Sequence, residues 1–154
     1  DKENTPNAVA FYMMQRAVDP KDMVITTGLG HLMFSFEMLY GVPAFVTEMV
    51  NIAPELVKNL YKAATNRDYE RVKELTDKLA LYDHFVSKCG QRRGIPTVLS
   101  ASTGGGDIPL YLSIIKEAMS LVGLPGGKAR EPMENITTDE KEELKNVLQK
   151  MGVL

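Results

Sequence analysis

Cysteine is almost missing from this chain. Cys89 is the single thiol among 154 residues, so no internal disulfide can form, and a reducing cytoplasm is the expected setting. Its neighbours Lys88 and Gly90 suggest neither a ligand nor a nucleophile, and Cys89 reads as a structural thiol. Histidine is nearly as scarce, and His31 and His84 are far apart in sequence. With no His-x-x-x-His pair, no metal site is supported and none is expected. A basic excess is also absent. The 18 Lys and Arg face 20 Asp and Glu, a net charge of -2, which is not the footprint of a nucleic-acid binder. Long apolar runs are lacking too. The longest candidate, residues 110–124, is interrupted by Lys116 and Glu117 and falls short of the ~20 residues a membrane span needs. The opening residues are polar or proline, so no leader peptide is expected. The abrupt start Asp1-Lys2-Glu3-Asn4 reads as the continuation of a longer chain.

What is present suits a protein with a core: 44% of residues are hydrophobic and 25% charged. Val9, Ala10, Met13, Met14 and Ala17 are spaced as one helical face over residues 7–19, and Asp19-Pro20 ends it. Met23-Val24-Ile25-Thr26-Thr27 is a short β-branched run closed by Gly28 and Gly30. It predicts a buried parallel strand at 23–27. A helix follows from His31 to Tyr40, stopping at Gly41, and a second short strand at 43–47. Strands alternating with ~10-residue helices are the pattern of βα units, and two such strands need a larger parallel sheet to join. From residue 53 onward the pattern is helical. Pro54 suits a first turn; Leu56, Val57, Leu60, Tyr61 and Ala64 form one face; residues 65–68 turn. Tyr69, Val72, Leu75, Leu79, Tyr82 and Val86 then line a longer helix. Residues 89–109 look irregular, 108–124 read as an apolar helix, and Thr137 with Glu140 makes a capping box for the last helix. Its stripe is Leu144, Val147, Leu148 and Met151. The division expected is 1–52 and 53–154.

The chemistry-bearing motifs are individually weak. Gly28-Leu29-Gly30 follows a strand and opens a helix, but Met33 stands where a dinucleotide fingerprint needs its third glycine. A glycine turn at the C-terminal end of a barrel strand accounts for it better, and that is where barrel active sites lie. The run Ser102-Thr103-Gly104-Gly105-Gly106-Asp107 could cradle an anion. It lacks a following P-loop Lys-Ser/Thr and reads as a loop. Gly126-Gly127-Lys128 comes after a helix and reads as its terminator. His31, just past a strand end, faces either the pocket or the helix start. Lys2 is a surface lysine by composition alone.

Several segments in order change that reading. Asn51-Ile52-Ala53-Pro54-Glu55-Leu56 follows a short strand, and a turn holding Asp68 comes next. Then come Ile115-Lys116-Glu117-Ala118-Met119, Gly123-Leu124-Pro125-Gly126-Gly127, Arg130-Glu131-Pro132-Met133 and Thr137-Thr138-Asp139-Glu140. Together they resemble the dihydrodipicolinate synthase / N-acetylneuraminate lyase family over nearly the whole chain, residues 89–112 excepted. The resemblance implies an α/β fold, the C-terminal part of a (β/α)8 TIM barrel plus a C-terminal helical extension. On it, 23–27 is the seventh strand, 43–47 the eighth, and the sixth ends at Asp1-Lys2.

The resemblance also implies a chemistry. Family enzymes carry a Schiff-base lysine at the end of the sixth strand, and Lys2-Glu3-Asn4-Thr5-Pro6-Asn7 is similar to that stretch. Either Lys2 or a lysine preceding Asp1 fits the pattern. Gly28, beside Thr27, corresponds to the glycine near the keto-acid carboxylate. Val46 corresponds to a position whose carbonyl faces the imine, with Thr47 next to it. The implied substrate is pyruvate or another 2-keto acid, with no cofactor, in a homo-oligomer (dimer or tetramer). The remainder of the barrel would come from the same or another chain. The family tyrosine acid/base lies outside this stretch. Leu29-Gly30 replaces an acidic pair of the synthases, and Glu48 stands where the family is apolar. These departures leave open an alternative, a catalytically inactive helical assembly module.

Overall fold

The computed structural model describes residues 1–94 and 110–154. The anion cradle expected at 102–107, most of the irregular stretch 89–109 and the helix start expected at Ile108 lie outside the described residues. The chain forms two compact units, one of Asp1–Val50 with Pro54–Asp77, the other of Asn51–Ala53 with Lys78–Leu154.

In the first unit, three extended segments lie side by side in chain order. Strand β1 (Lys2–Glu3) pairs in parallel with β2 (Thr26–Thr27), Lys2 opposite Thr26 and Glu3 opposite Thr27. Thr27 forms a further parallel bridge to Phe45. The ladder runs through Thr26 N–H to Asp1 O at 2.8 Å and Gly28 N–H to Glu3 O at 2.7 Å. It continues through Thr27 N–H to Ala44 O at 3.2 Å and Val46 N–H to Thr27 O at 3.0 Å. The strands expected at 23–27 and 43–47 are therefore shorter, reduced to Thr26–Thr27 and the bridge at Phe45. Apolar, β-branched composition favours extended backbone, but a ladder forms only opposite a partner segment.

Helix α1 (Ala8–Ala17) is capped by Asn7, whose side chain accepts from Val9 N–H at 3.0 Å and Ala10 N–H at 3.1 Å. Its fully buried residue is Phe11, whereas Val9 and Met13 of the expected apolar stripe are 71% and 61% exposed. The helix is apolar on more than one side, and only packing decides which side is covered. Helix α2 (Gly30–Glu37) tightens into a 3-10 turn (Met38–Tyr40) that ends at left-handed Gly41. Its buried residues, His31, Phe34 and Glu37, repeat every three positions and share one face. Phe34 stacks on Phe45 at a ring separation of 4.1 Å, so that face lies against the extended segments. Helix α3 (Pro54–Thr65) buries Val57, Leu60, Ala63 and Ala64. Its Tyr61 hydroxyl donates to Pro43 O at 3.0 Å. Helix α4 (Tyr69–Arg92) runs from this unit into the next.

The second unit is helical. Leu79, Tyr82, Phe85, Val86 and Cys89 of α4, Leu110, Ile114 and Ala118 of α5 (Leu110–Leu121) and Leu144, Leu148 and Met151 of α6 (Thr138–Met151) are buried. Gly126 returns the chain onto α5 so closely that an added Cβ would lie 1.9 Å from Lys116 O, which explains a glycine there. The capping box of α6 is formed as expected, and its Glu140 does a second job. While one oxygen takes Thr137 N–H at 2.9 Å, the carboxylate receives both Arg93 Nη atoms at 2.6 and 2.7 Å. Arg93 Nε also reaches Glu134 at 3.0 Å, and Nη1 donates to Cys89 O at 3.1 Å. The buried Cys89 thiol is pushed up to about 12, mostly by desolvation and then by the Glu140 charge, so it is inert at neutral pH. Among the described residues no helix is long and apolar enough to cross a membrane.

The Arg93 hydrogen bonds hold the Glu140 carboxyl down at about 2, against an ordinary 4.5. A depressed folded value contributes stability that is complete above the unfolded value and lost as pH falls through the folded one. Glu140→Gln is expected to cost roughly 3 kcal/mol at pH 7, because Arg93 is left half-buried without its partner. The deficit should shrink between about pH 4.5 and 2. Urea denaturation of both proteins across that range checks it; a deficit that does not change with pH would refute the assignment.

Candidate active site

Side chains alternate along an extended strand, and residues in register on neighbouring strands share a face. The pairing of Lys2 with Thr26 therefore puts these two on one face. Glu3, Thr27 and Phe45 share the other, which Phe34 covers. The burial agrees with this: Ile25 and Thr27 are 5% and 1% exposed, Val24 and Val46 52% and 51%. In a barrel the face turned away from the helices is the interior, and the C-terminal ends of its strands carry the chemistry. Lys2 lies on that face next to the strand ends.

Gly28 follows β2 directly. A Cβ there would lie 2.9 Å from Lys2 Cγ and 1.9 Å from Asn4 Oδ1. The lysine stem and the Asn4 amide thus occupy the space that glycine leaves. Gly28 and Lys2 are brought together, and the sequence alone gives no distance between them. Val46 shares the open face, and its carbonyl accepts Gly30 N–H at 3.1 Å. A carbonyl oxygen has a second lone pair for another donor. Gly30 itself, at φ +80, sits where a side chain is strained.

Thr27 and Thr47 are placed differently. Both are buried, and their hydroxyls serve the backbone: Thr27 Oγ1 accepts Leu29 N–H at 3.5 Å, and Thr47 Oγ1 accepts Met49 N–H at 3.2 Å. They brace the turns behind the open face. Thr26, not singled out from the sequence, stands beside Lys2 with its hydroxyl donating to Asp1 O at 3.3 Å. Strand parity was the signal that could have found it, since 26 and 28 share a face. His31 is buried on the helix side with Phe34 and Glu37.

Glu37 was not anticipated either. It is 1% exposed, and its Oε2 has no partner among the described residues. Burial raises its carboxyl above the ordinary range; the nearby Thr27 side chain opposes this and the Glu3 charge adds to it. Glu3 itself is held low by Thr5, whose N–H donates to Glu3 Oε1 at 2.5 Å. Among the described residues no group of three or more His, Cys, Asp or Glu side chains could hold a metal ion. A cleft of about 680 Å³ in the first unit is lined by Tyr12, Arg16, Met23, Val24, Tyr40 and Pro43, among others. Its lining includes Met23, Val24 and Ile25, which lead into β2, and does not include Lys2.

No protein-family profile matches the chain. It is 28% identical over 144 residues to the 4-hydroxy-tetrahydrodipicolinate synthase of Methanopyrus kandleri, covering 92% of this chain and 41% of that protein. The 5-dehydro-4-deoxyglucarate dehydratase of Pseudomonas putida is 27% identical over 113 residues, 73% of this chain and 31% of that one. Among solved structures, the dihydrodipicolinate synthase of Bacteroides thetaiotaomicron superposes with a TM-score of 0.77 at 26% identity. It covers 96% of this chain and 45% of that one. The N-acetylneuraminate lyase of Proteus mirabilis gives 0.72 at 21% identity, over 99% and 44%. The chain spans about two-fifths of the curated relatives it matches, in their C-terminal part. The fold is that of the last strands of a (β/α)8 barrel with its helical extension.

Gly28→Ala is expected to push the Lys2 stem and the Asn4 amide aside at a cost of roughly 1 kcal/mol, the low end for overpacking because Asn4 is exposed. Chemical denaturation, with amide shifts of residues 2–4 by NMR, checks this. Unchanged shifts would mean that Lys2 does not lie over Gly28.

Proposed function

We infer that the chain belongs to the dihydrodipicolinate synthase and N-acetylneuraminate lyase family and is the C-terminal part of a lyase that forms a lysine Schiff base with pyruvate or a 2-keto acid. One observation carries the reading: Lys2 sits on the open face of three parallel segments, at their C-terminal ends, against a glycine that makes room for it.

The chemistry follows from an amine in that position. The unprotonated Lys2 Nζ adds to the C2 carbonyl carbon of the keto acid, and loss of water leaves a protonated imine. The iminium draws electrons from C3. A proton or a carbon substituent at C3 can then depart without its bonding pair, leaving an enamine. Reprotonation and hydrolysis return the lysine. Gly28 N–H is already taken by Glu3 O, so the keto-acid carboxylate needs other donors around the Gly28-Leu29-Gly30 turn and from the rest of the barrel. The Val46 carbonyl offers its remaining lone pair to the iminium N–H. Thr27 and Thr47 act from behind by holding their turns. The remaining strands come from preceding residues of the same chain or from another chain. The assembly is taken to be a cytoplasmic homo-oligomer.

The competing reading, an inactive helical assembly module, draws on Leu29, Gly30 and Glu48 and on the compact helical second unit. One experiment separates the two. In protein containing the complete barrel, pyruvate with borohydride should fix a covalent adduct on Lys2, seen by peptide mass spectrometry, and Lys2→Arg should abolish it. An unlabelled Lys2 sinks the enzyme reading, and an adduct sinks the inactive one.

A further inference from the structure

The turn that ends α3 is closed by an arginine. Arg67 N–H donates to Ala64 O at 3.0 Å and Asp68 N–H to Ala63 O at 2.9 Å, the paired bonds of a helix stop whose closing residue is left-handed. Arg67 fills that place at φ 59, the one non-glycine residue at positive φ among those described. Glycine would fill it with less strain, because a Cβ crowds the left-handed backbone. The Arg67 side chain is exposed and has no acidic partner among the described residues. The neighbouring Asp68 carboxylate is engaged elsewhere, accepting Arg71 N–H at 3.1 Å at the start of α4.

Arg67 lines a cleft of about 480 Å³ with Phe34, Pro43, Tyr61, Thr65 and Tyr69, a size that suits a small organic molecule. The cleft lies wholly within the first unit. No acidic side chain lines it, and neither does any residue of the candidate active site. One wall is aromatic: the Phe34 and Tyr61 rings are 6.1 Å apart with 22° between their planes. Two of its hydroxyls are committed, Tyr61 donating to Pro43 O at 3.0 Å and Thr65 to Tyr61 O at 2.9 Å. The Tyr69 hydroxyl, on a side chain 54% exposed, meets no partner among the described residues. One guanidinium and one free hydroxyl suit a single carboxylate, and would leave oxygens of a phosphate unserved.

We propose that this cleft binds a small aromatic carboxylate, its ring against Phe34 and Tyr61 and its carboxylate on the Arg67 guanidinium and the Tyr69 hydroxyl. The proposal is independent of the Schiff-base reading above.

Phenylacetate is the probe, titrated by calorimetry into protein with the complete barrel. Saturable binding is expected, with or without pyruvate. Arg67→Gly is expected to weaken it about tenfold, the effect of losing one charge-assisted hydrogen bond. The melting temperature of Arg67→Gly should equal or exceed that of wild type, since glycine relieves the left-handed backbone, so weaker binding cannot come from unfolding. Tyr69→Phe should weaken binding about threefold. Phenylethylamine, a similar ring with the opposite charge, should not bind. Wild-type protein that shows no saturable binding of phenylacetate overturns the proposal. So does Arg67→Gly protein that binds it as tightly as wild type, or phenylethylamine bound as tightly as phenylacetate. Binding abolished by pyruvate overturns it as well, because the carboxylate would then be held at the keto-acid site.

Discussion

The parallel pairing of Lys2 with Thr26 is the constraint from which the candidate site follows. It decides which residues look out of the sheet and which look into the helices. A shift of one residue would reverse every assignment, turning Glu3 and Thr27 outward and Lys2 into the packed layer. The register is held from behind by Phe34 stacked on Phe45 and by Tyr61 donating to Pro43 O. Hydrophobic packing on one face thus sets the chemistry available on the other.

The two units use polar groups differently. In the second, Arg93 and Glu140 satisfy one another with two short hydrogen bonds, and the same carboxylate closes the cap of α6. Such a pair is buried at little cost because its hydrogen-bonding capacity is filled. In the first, Glu37 is buried with an oxygen left over. Structural polar groups are normally satisfied; those that are not tend to lie next to sites that work.

The local signals were legible because local physics writes them. Pro54 begins α3 and Tyr69 begins α4, and Thr137 and Glu140 form the capping box. Gly41 ends the second helix in a left-handed conformation. Each depends on hydrogen bonds or dihedral preferences within a few residues. The family resemblance was legible for a similar reason: Gly126 must let backbone approach Lys116 O, a local demand that fixes its residue type.

By itself the sequence determined the order of helices, their caps and stops, the parallel character of the short apolar runs and the lysine at the end of one. These rest on propensities and periodicities that need no partner. The tertiary structure alone decided that the strands extend only where a neighbour lies alongside, and that Phe11, not Val9 and Met13, is the buried face of α1. It alone decided that Thr26, not Thr27, stands beside Lys2, and that Glu37 lies buried behind it. Each is a question of which surface meets which. A chain that is apolar on several sides, or extended with hydroxyls on both faces, leaves that question to the elements packed against it.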